Sequence, residues 1–194
     1  MKIDIILAGV GGQGILSIAA VIGHAALSNK LNIKQSEVHG MSQRGGAVMS
    51  HLRISSDVIA SDLIPFGKAD MILSVEPMES LRYVDYLSKD GWVVTNTKPF
   101  ENINNYPDYE KLINTIQSLS NRVFIDADQI AHEVGSIKAS NMVMLGAAIP
   151  YLKLTPQSIE EGIRSIFGSK GESIVELNVK AMKMGWDYAL ANQK

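Results

Sequence analysis

Short apolar runs alternate along the chain with stretches of small or amphipathic residues. The first run, Ile3 to Ala8, is rich in β-branched residues and stops at Gly9, which predicts a strand that is buried on both faces. Residues 14–29 are mostly small and apolar and predict a helix that lies close against a sheet. Residues 32–39 predict the second strand.

The same alternation returns in the second half of the chain. Residues 69–75, 92–95 and 123–125 predict strands, and helices are predicted from Pro77 to a point before Gly91, over 109–119 and 141–152, from Pro156 with Thr155 as N-cap, and over 172–191. Residues 98–108 contain two prolines and several asparagines, which predict a surface loop.

One segment interrupts this regularity. Residues 47–59 mix apolar and polar positions around the turn-prone Ser55, Ser56 and Asp57, and they predict a hairpin. The whole pattern predicts an α/β fold with a doubly wound, mainly parallel, Rossmann-like sheet and helices on both faces. We expect residues 1–194 to form a single domain whose working crevice lies at the carboxyl ends of the strands.

Composition and charge narrow the classes of function. The 194 residues carry a net charge of -2 without any run of Lys or Arg, so we expect no nucleic-acid partner. The chain contains no cysteine, which excludes thiolate-ligated zinc or iron-sulfur clusters and a thiol nucleophile. The apolar run at the N-terminus has only the length of a strand, so we expect no membrane association and a cytoplasmic location.

A glycine loop joins the first strand to the first helix. The sequence GVGGQG at residues 9–14 matches the GxGxxG spacing, and a helix N-terminus behind such a loop suits an anion, especially a phosphate. Glu37, at the end of the second strand, stands where a Rossmann domain places its ribose-binding carboxylate. The alternative is that the glycines only permit a tight turn and close packing of helix on sheet, with nothing bound.

A second unusual stretch follows the second strand. It ends in Arg44, Gly45 and Gly46, and an arginine flanked by glycine can bind a carboxylate or phosphate through two hydrogen bonds. The alternative is a loop whose arginine holds a subunit contact. The spacing of His, Asp and Glu assigns neither an acid-base pair nor a metal site.

Four segments together resemble one family. They are GVGGQG at 9–14, EVHGMSQRGGAVMSHLRIS at 37–55, NMVMLGA at 141–147 and ELNVKAMKMG at 176–185. Together they are similar to the gamma-type domain of the 2-oxoacid:ferredoxin oxidoreductases, in particular to the small subunit of the indolepyruvate enzymes. The resemblance covers essentially the whole chain, and HGMSQRGG is its most specific part.

The resemblance implies a small, cofactor-free subunit that is inactive alone. A large alpha subunit would carry thiamine diphosphate, Mg and the iron-sulfur clusters, with coenzyme A as co-substrate and ferredoxin as electron acceptor. It implies no catalytic residue in this chain. The resemblance also implies that two groups of residues face the large subunit or coenzyme A. These residues are Gly9, Gly11, Gly12, Gln13, Gly14, Arg44, Gly45 and Gly46.

Two other functions remain open at this point. An independent oxidoreductase that binds NAD(P) or FAD would use the glycine loop for the pyrophosphate and Glu37 for the ribose. A non-catalytic protein that senses nucleotides would use the same loop without further chemistry.

Overall fold

The computed structural model describes residues 1–39, 45–101 and 103–192. Within these ranges the strands are β1 (Lys2–Val10), β2 (Asn32–His39), β3 (Ala47–Ser55), β4 (Ala69–Ser74), β5 (Leu87–Asn96) and β6 (Arg122–Ile125). The α-helices are α1 (Ile15–Ser28), α2 (Pro77–Arg82), α3 (Tyr109–Gln117), α4 (Ala127–Val134), α5 (Ser140–Ala148), α6 (Pro156–Phe167) and α7 (Glu172–Ala191).

The strands form one mixed sheet in the order β2-β3-β1-β4-β5-β6. The pairs β1–β4, β4–β5 and β5–β6 are parallel, whereas β3 is antiparallel to both β1 and β2. Five strands therefore point in one direction and only β3 runs against them. This confirms the predicted mainly parallel α/β fold.

The two faces of the sheet are covered unequally. Helices α1, α4, α5, α6 and α7 pack on one face, against alternate strand residues such as Ile5, Leu7 and Met71. The other face, which carries Ile6 and Ile72, is covered by α2, α3 and the segment 56–68. Alternate side chains of β1 are buried on both faces, which explains why the run from Ile3 to Ala8 is apolar throughout.

The predicted hairpin within residues 47–59 is wrong. Residues 47–55 form one continuous strand, β3, which pairs with β2 on one side and β1 on the other. The turn-prone residues at 55–57 end this strand instead of reversing it, and the hairpin partner of β3 is β2. Pairing on both sides satisfies the backbone of β3 along its length, and this long-range arrangement has no local signal.

The predicted helix from Pro77 to a point before Gly91 is also too long. Helix α2 ends at Arg82, a 3₁₀ turn spans Val84–Tyr86, and Gly91 lies inside β5. A Cβ atom at Gly91 would stand 2.9 Å from the carbonyl oxygen of Ala69, so this glycine allows a close approach of two strands. Helix α4, whose N-cap is Asp126, was not predicted.

Most of the other elements are confirmed. β2 and α7 have their predicted bounds, and α6 begins at Pro156 with the Thr155 hydroxyl accepting the Ser158 N–H. β1, α1, β4, α3 and β6 lie within a few residues of prediction. In the described part of the chain, none of the helices is long and apolar enough to cross a membrane.

Candidate ligand-binding site at the glycine loop

The glycine loop lies at the carboxyl end of β1, where the chain turns into α1. The loop is closed by Gln13: its N–H donates to the Val10 carbonyl at 3.1 Å, and its side-chain Oε1 accepts the Val10 N–H at 2.8 Å. Because Gln13 Oε1 already accepts this hydrogen bond, a ligand would contact the backbone of the loop and not the Gln13 side-chain oxygen.

Gly14 is the residue where the loop becomes a helix. It adopts a left-handed conformation with φ 83°, and no side chain caps the N-terminus of α1. A Cβ atom at Gly14 would stand 2.4 Å from Nδ2 of Asn141, which donates to the Gly14 carbonyl at 3.2 Å. The close approach of α5 to the loop therefore requires glycine here. In the first turn of α1 the Ser17 N–H donates to the Gly14 carbonyl at 3.0 Å, and the N–H groups of Ile15 and Leu16 stay available to a ligand.

The structure brings the two glycine segments together. The Gly11 N–H donates to the Gly46 carbonyl at 2.8 Å, and the Gly45 N–H donates to the Gly11 carbonyl at 3.3 Å. Gly9 lies beneath them, where a Cβ atom would collide with Val75 at the end of β4. Arg44, the other predicted residue of this group, lies outside the described residues, and Gly12 stands at the open side of the loop.

A cleft of about 600 Å³ opens beside the N-terminus of α1. Its walls come from the glycine loop, the segment between α4 and α5, and the start of α7. Lys138 and Lys170 line it, and no carboxylate occurs among the described residues that do so. Two ammonium groups and the positive end of a helix dipole make this cleft suited to an anionic ligand.

Two buried asparagines add a different kind of recognition to the cleft. Asn141 is 8% exposed and Asn178 is 6% exposed, and both line the cleft. Each side-chain Nδ2–H donates to a backbone carbonyl: that of Asn141 donates to the Gly14 carbonyl, and that of Asn178 donates to the Ile174 carbonyl at 2.7 Å. Within the described residues neither Oδ1 accepts a hydrogen bond, so both can accept one from the N–H or O–H of a ligand.

Polar groups behind the cleft come from the carboxyl ends of β5 and β6. Burial raises the pKa of Asp128, on the first turn of α4, and the nearby Asp126 raises it further. Hydrogen bonding to Ser140, which lines the cleft, and the charge of Lys98 act in the opposite direction. Asn96 fixes the start of α4 by accepting the Ala127 N–H at 3.1 Å.

A smaller cavity of about 250 Å³ lies on the other side of the loop, between Gly11, Gly12, Leu16 and Glu37. In a Rossmann domain the acidic residue sits on the strand next to β1. Here β3 lies between β1 and β2, so Glu37 is one strand farther away. The Gly11 N–H is also already bonded to Gly46. This geometry departs from a dinucleotide site.

Sequence analysis did not identify four residues of the larger cleft: Lys138, Asn141, Lys170 and Asn178. More than a hundred residues separate them from the glycine loop, and although Asn141 and Asn178 lie in the segments NMVMLGA and ELNVKAMKMG, nothing in those segments indicated a ligand contact. Asn178 alone carries a local signal, because it occupies the same helix stripe as the buried Val175, Val179 and Met182.

Comparison with known proteins identifies the family. Residues 4–188 match the model of the family described as pyruvate ferredoxin/flavodoxin oxidoreductase. A curated relative in Archaeoglobus fulgidus, "Indolepyruvate oxidoreductase subunit IorB", is 37% identical, and the alignment covers 100% of this chain and 98% of the relative.

Solved structures share the fold. The gamma subunit of a keto/oxoacid ferredoxin oxidoreductase from Geobacter sulfurreducens is 26% identical with a TM-score of 0.68, and the match covers 97% of this chain and 99% of that one. A 2-oxoglutarate:ferredoxin oxidoreductase from Magnetococcus marinus is 23% identical with a TM-score of 0.78; this chain is covered fully but spans only 32% of that one. The chain therefore belongs to the pyruvate ferredoxin/flavodoxin oxidoreductase family, as a small subunit of a 2-oxoacid:ferredoxin oxidoreductase.

Proposed function

We propose that this chain is the small, cofactor-free subunit of a thiamine-diphosphate-dependent enzyme that oxidises indolepyruvate and other aryl pyruvates. The products are the aryl-acetyl-coenzyme A, carbon dioxide and reduced ferredoxin. The observation that carries the proposal is the full-length similarity, at 37% identity, to an indolepyruvate oxidoreductase subunit. In this function residues 1–194 act as one gamma-type domain.

The composition of the chain supports this division of labour. The sequence has no cysteine, so these 194 residues cannot ligate an iron-sulfur cluster through thiolates. Across residues 1–39, 45–101 and 103–192, no group of three His, Asp or Glu side chains is placed to hold a metal ion. In the proposed complex a large alpha subunit would carry thiamine diphosphate with its Mg ion and the electron carriers, and ferredoxin would be reduced through it.

The larger cleft is the part of this chain that we assign to a ligand, and coenzyme A is the ligand that fits it. Phosphates would lie against the backbone of Gly12 to Gly14 and the ammonium groups of Lys138 and Lys170. The amide N–H groups of the pantetheine arm would donate to Oδ1 of Asn141 and Asn178. The related Magnetococcus marinus enzyme was solved with coenzyme A bound.

The sequence prediction that Arg44 assists at this site stays part of the proposal. Arg44 adjoins Gly45 and Gly46, which are held against Gly11. A guanidinium there would supply a further positive charge beside the loop.

The test is the steady-state kinetics of the complex of this chain with its large subunit, assayed by indolepyruvate-dependent reduction of ferredoxin. Lys138→Gln and Lys170→Gln each remove one charge from the cleft. We expect each to raise the KM for coenzyme A by roughly 3-fold to 10-fold, since a charge-assisted hydrogen bond is worth about 1 kcal/mol or more. Lys180→Gln, an exposed change on α7, is the control and leaves this KM unchanged.

The possible outcomes separate the parts of the proposal. A complex that reduces ferredoxin with pyruvate or 2-oxoglutarate but not with aryl pyruvates contradicts the substrate. A complex that is active with aryl pyruvates but insensitive to both lysine substitutions contradicts the assignment of the cleft.

A further inference from the structure

An aromatic ring lies beneath one of the two ammonium groups of the larger cleft. The Lys170 Nζ stands 5.1 Å from the centre of the Phe167 ring, and both residues line the cleft. A cation at this distance over the face of a ring is attracted by the negative charge of that face. The ring therefore holds the ammonium group at the wall of the cleft.

The backbone between α6 and α7 brings these two side chains together. Phe167 is the last residue of α6, and the 3₁₀ turn Gly168–Lys170 follows it directly. Side chains that are three residues apart lie one above the other in a 3₁₀ turn, so Lys170 is placed over Phe167. The Gly171 N–H closes the turn by donating to the Gly168 carbonyl at 3.2 Å. The pair thus follows from the local geometry of the chain.

The ring is fixed, and the charge above it is not neutralised. Phe167 is 7% exposed and packs in the main core together with Ile163 of the same helix. Among the residues that the structure describes, no carboxylate forms an ion pair with Lys170. By contrast, Lys183 on α7 is paired with Glu160 at 2.9 Å. The charge of Lys170 is therefore available to an anion in the cleft.

We propose that Phe167 is a positioning residue for the ligand of the cleft and acts through Lys170. This inference rests on the proposed function, because it takes coenzyme A as the ligand. A long lysine side chain loses conformational freedom when it binds a phosphate, and this loss weakens binding. The ring confines the ammonium group beforehand and leaves its N–H donors for the phosphate. The contact strengthens binding and leaves the chemical step alone, because the phosphates of coenzyme A are remote from its reacting thiol.

The experiment measures kcat and the KM for coenzyme A in the complex of this chain with its large subunit, using any 2-oxoacid that the complex oxidises. Phe167→Leu keeps an apolar side chain and removes the ring. We expect it to raise this KM by roughly 2-fold to 5-fold with kcat unchanged. Phe167→Tyr retains a ring and should keep the KM within about 2-fold of the wild type. Combined with Lys170→Gln, Phe167→Leu should change the KM by less than about 1.5-fold, because the cation is already absent.

Ile163→Val is the matched control for a loss of packing. Ile163 is fully buried in the same helix and the same core, and it is not among the residues that line the cleft. The substitution removes a methyl group from the core, and we expect it to leave the KM for coenzyme A unchanged. Circular dichroism of each purified complex checks that the variants are folded.

The outcomes separate this inference from the proposed function. If Lys170→Gln raises the KM and Phe167→Leu does not, this inference alone is overturned. If Lys170→Gln leaves the KM unchanged, both the inference and the assignment of the cleft fail. The inference is also overturned by an equal rise in Ile163→Val, by a rise that persists in Phe167→Tyr, or by a full effect of Phe167→Leu in the Lys170→Gln background.

Discussion

His51 on β3 links the sheet to segment 56–68. The side chain is 3% exposed, its Nδ1 accepts the Ile64 N–H at 3.1 Å, and its ring meets Tyr86 edge to face at 5.4 Å. Burial lowers the pKa of His51 below its ordinary value of 6.5, with Arg53 acting in the same direction and Asp62 against it. The neutral ring is therefore the folded form.

This environment makes part of the stability depend on pH. Because the pKa is lower in the folded state, the unfolded chain takes up the proton first, and the stabilisation present above pH 6.5 is lost as the pH falls from there through the folded pKa. We expect the free energy of unfolding to fall more between roughly pH 7 and pH 5 in the wild type than in His51→Asn. Urea titrations at several pH values check this, with His24→Asn, on the outer part of α1, as control. Parallel pH profiles for wild type and His51→Asn would contradict it.

Helices α5 and α7 approach each other closely because two glycines face across their contact. A Cβ atom at Gly146 would stand 1.9 Å from the Met182 carbonyl oxygen, and one at Gly185 would stand 2.0 Å from the Val143 carbonyl oxygen. Both obstacles are backbone atoms, so the helices would have to separate. These two helices also carry Asn141 and Asn178 into the cleft.

We therefore expect Gly146→Ala to lower the free energy of unfolding by about 3 kcal/mol or more, beyond the usual range for a single methyl group. Gly168→Ala is the matched control, since Gly168 has φ -54° and no atom within 4 Å of its would-be Cβ. That change should be neutral or stabilise by up to about 1 kcal/mol. Equal effects of the two substitutions in urea denaturation would refute this account of the helix contact.

The loop between β5 and α3 is tied down by one buried carboxylate. Glu76 is fully buried; it caps α2 by accepting the Glu79 N–H at 2.8 Å, and it accepts the Phe100 N–H at 3.2 Å and the Tyr106 hydroxyl. Burial raises the pKa of Tyr106, and the hydrogen bond to Glu76 raises it further. The Tyr106 hydroxyl and the Phe100 N–H thus both anchor the loop to Glu76.

Removing this hydroxyl leaves a buried carboxylate with one fewer donor. We expect Tyr106→Phe to lower the free energy of unfolding by about 1–3 kcal/mol. Tyr109→Phe removes a hydroxyl that bonds the Thr97 carbonyl at 3.0 Å from an exposed ring, and its cost should be under about 1 kcal/mol. A Tyr106→Phe variant as stable as Tyr109→Phe in thermal and urea unfolding would show that Glu76 does not need this donor.

At the scale of the whole molecule, the strand order separates this chain from a dinucleotide-binding enzyme. The antiparallel β3 occupies the place beside β1 where a Rossmann domain has its second strand, and the turn before it covers Gly11. We expect the melting temperature of the isolated chain to stay unchanged when NAD or FAD is added at a concentration on the order of 1 mM. A shift of several degrees with either dinucleotide would restore the independent oxidoreductase as a candidate.

Sequence by itself determined most of the elements and excluded thiolate-based chemistry. Strong local patterns, such as the apolar run of β1, the Thr155-Pro156 start of α6 and the stripe of α7, predicted elements that the structure confirms. The absence of cysteine is a fact of composition that no folding can change. The four segments that carried the resemblance to the family could be recognised because each is contiguous in the chain.

Tertiary structure alone decided which segments meet. The insertion of β3 between β1 and β2, the pairing of Gly11 with Gly46, and the arrival of Asn141 and Asn178 beside Gly14 all depend on contacts between residues far apart in sequence. Local patterns set whether a residue is helical or extended, because they reflect burial of one face. They carry no information on which neighbour supplies that burial, and for this reason the ligand cleft emerged only from the folded chain.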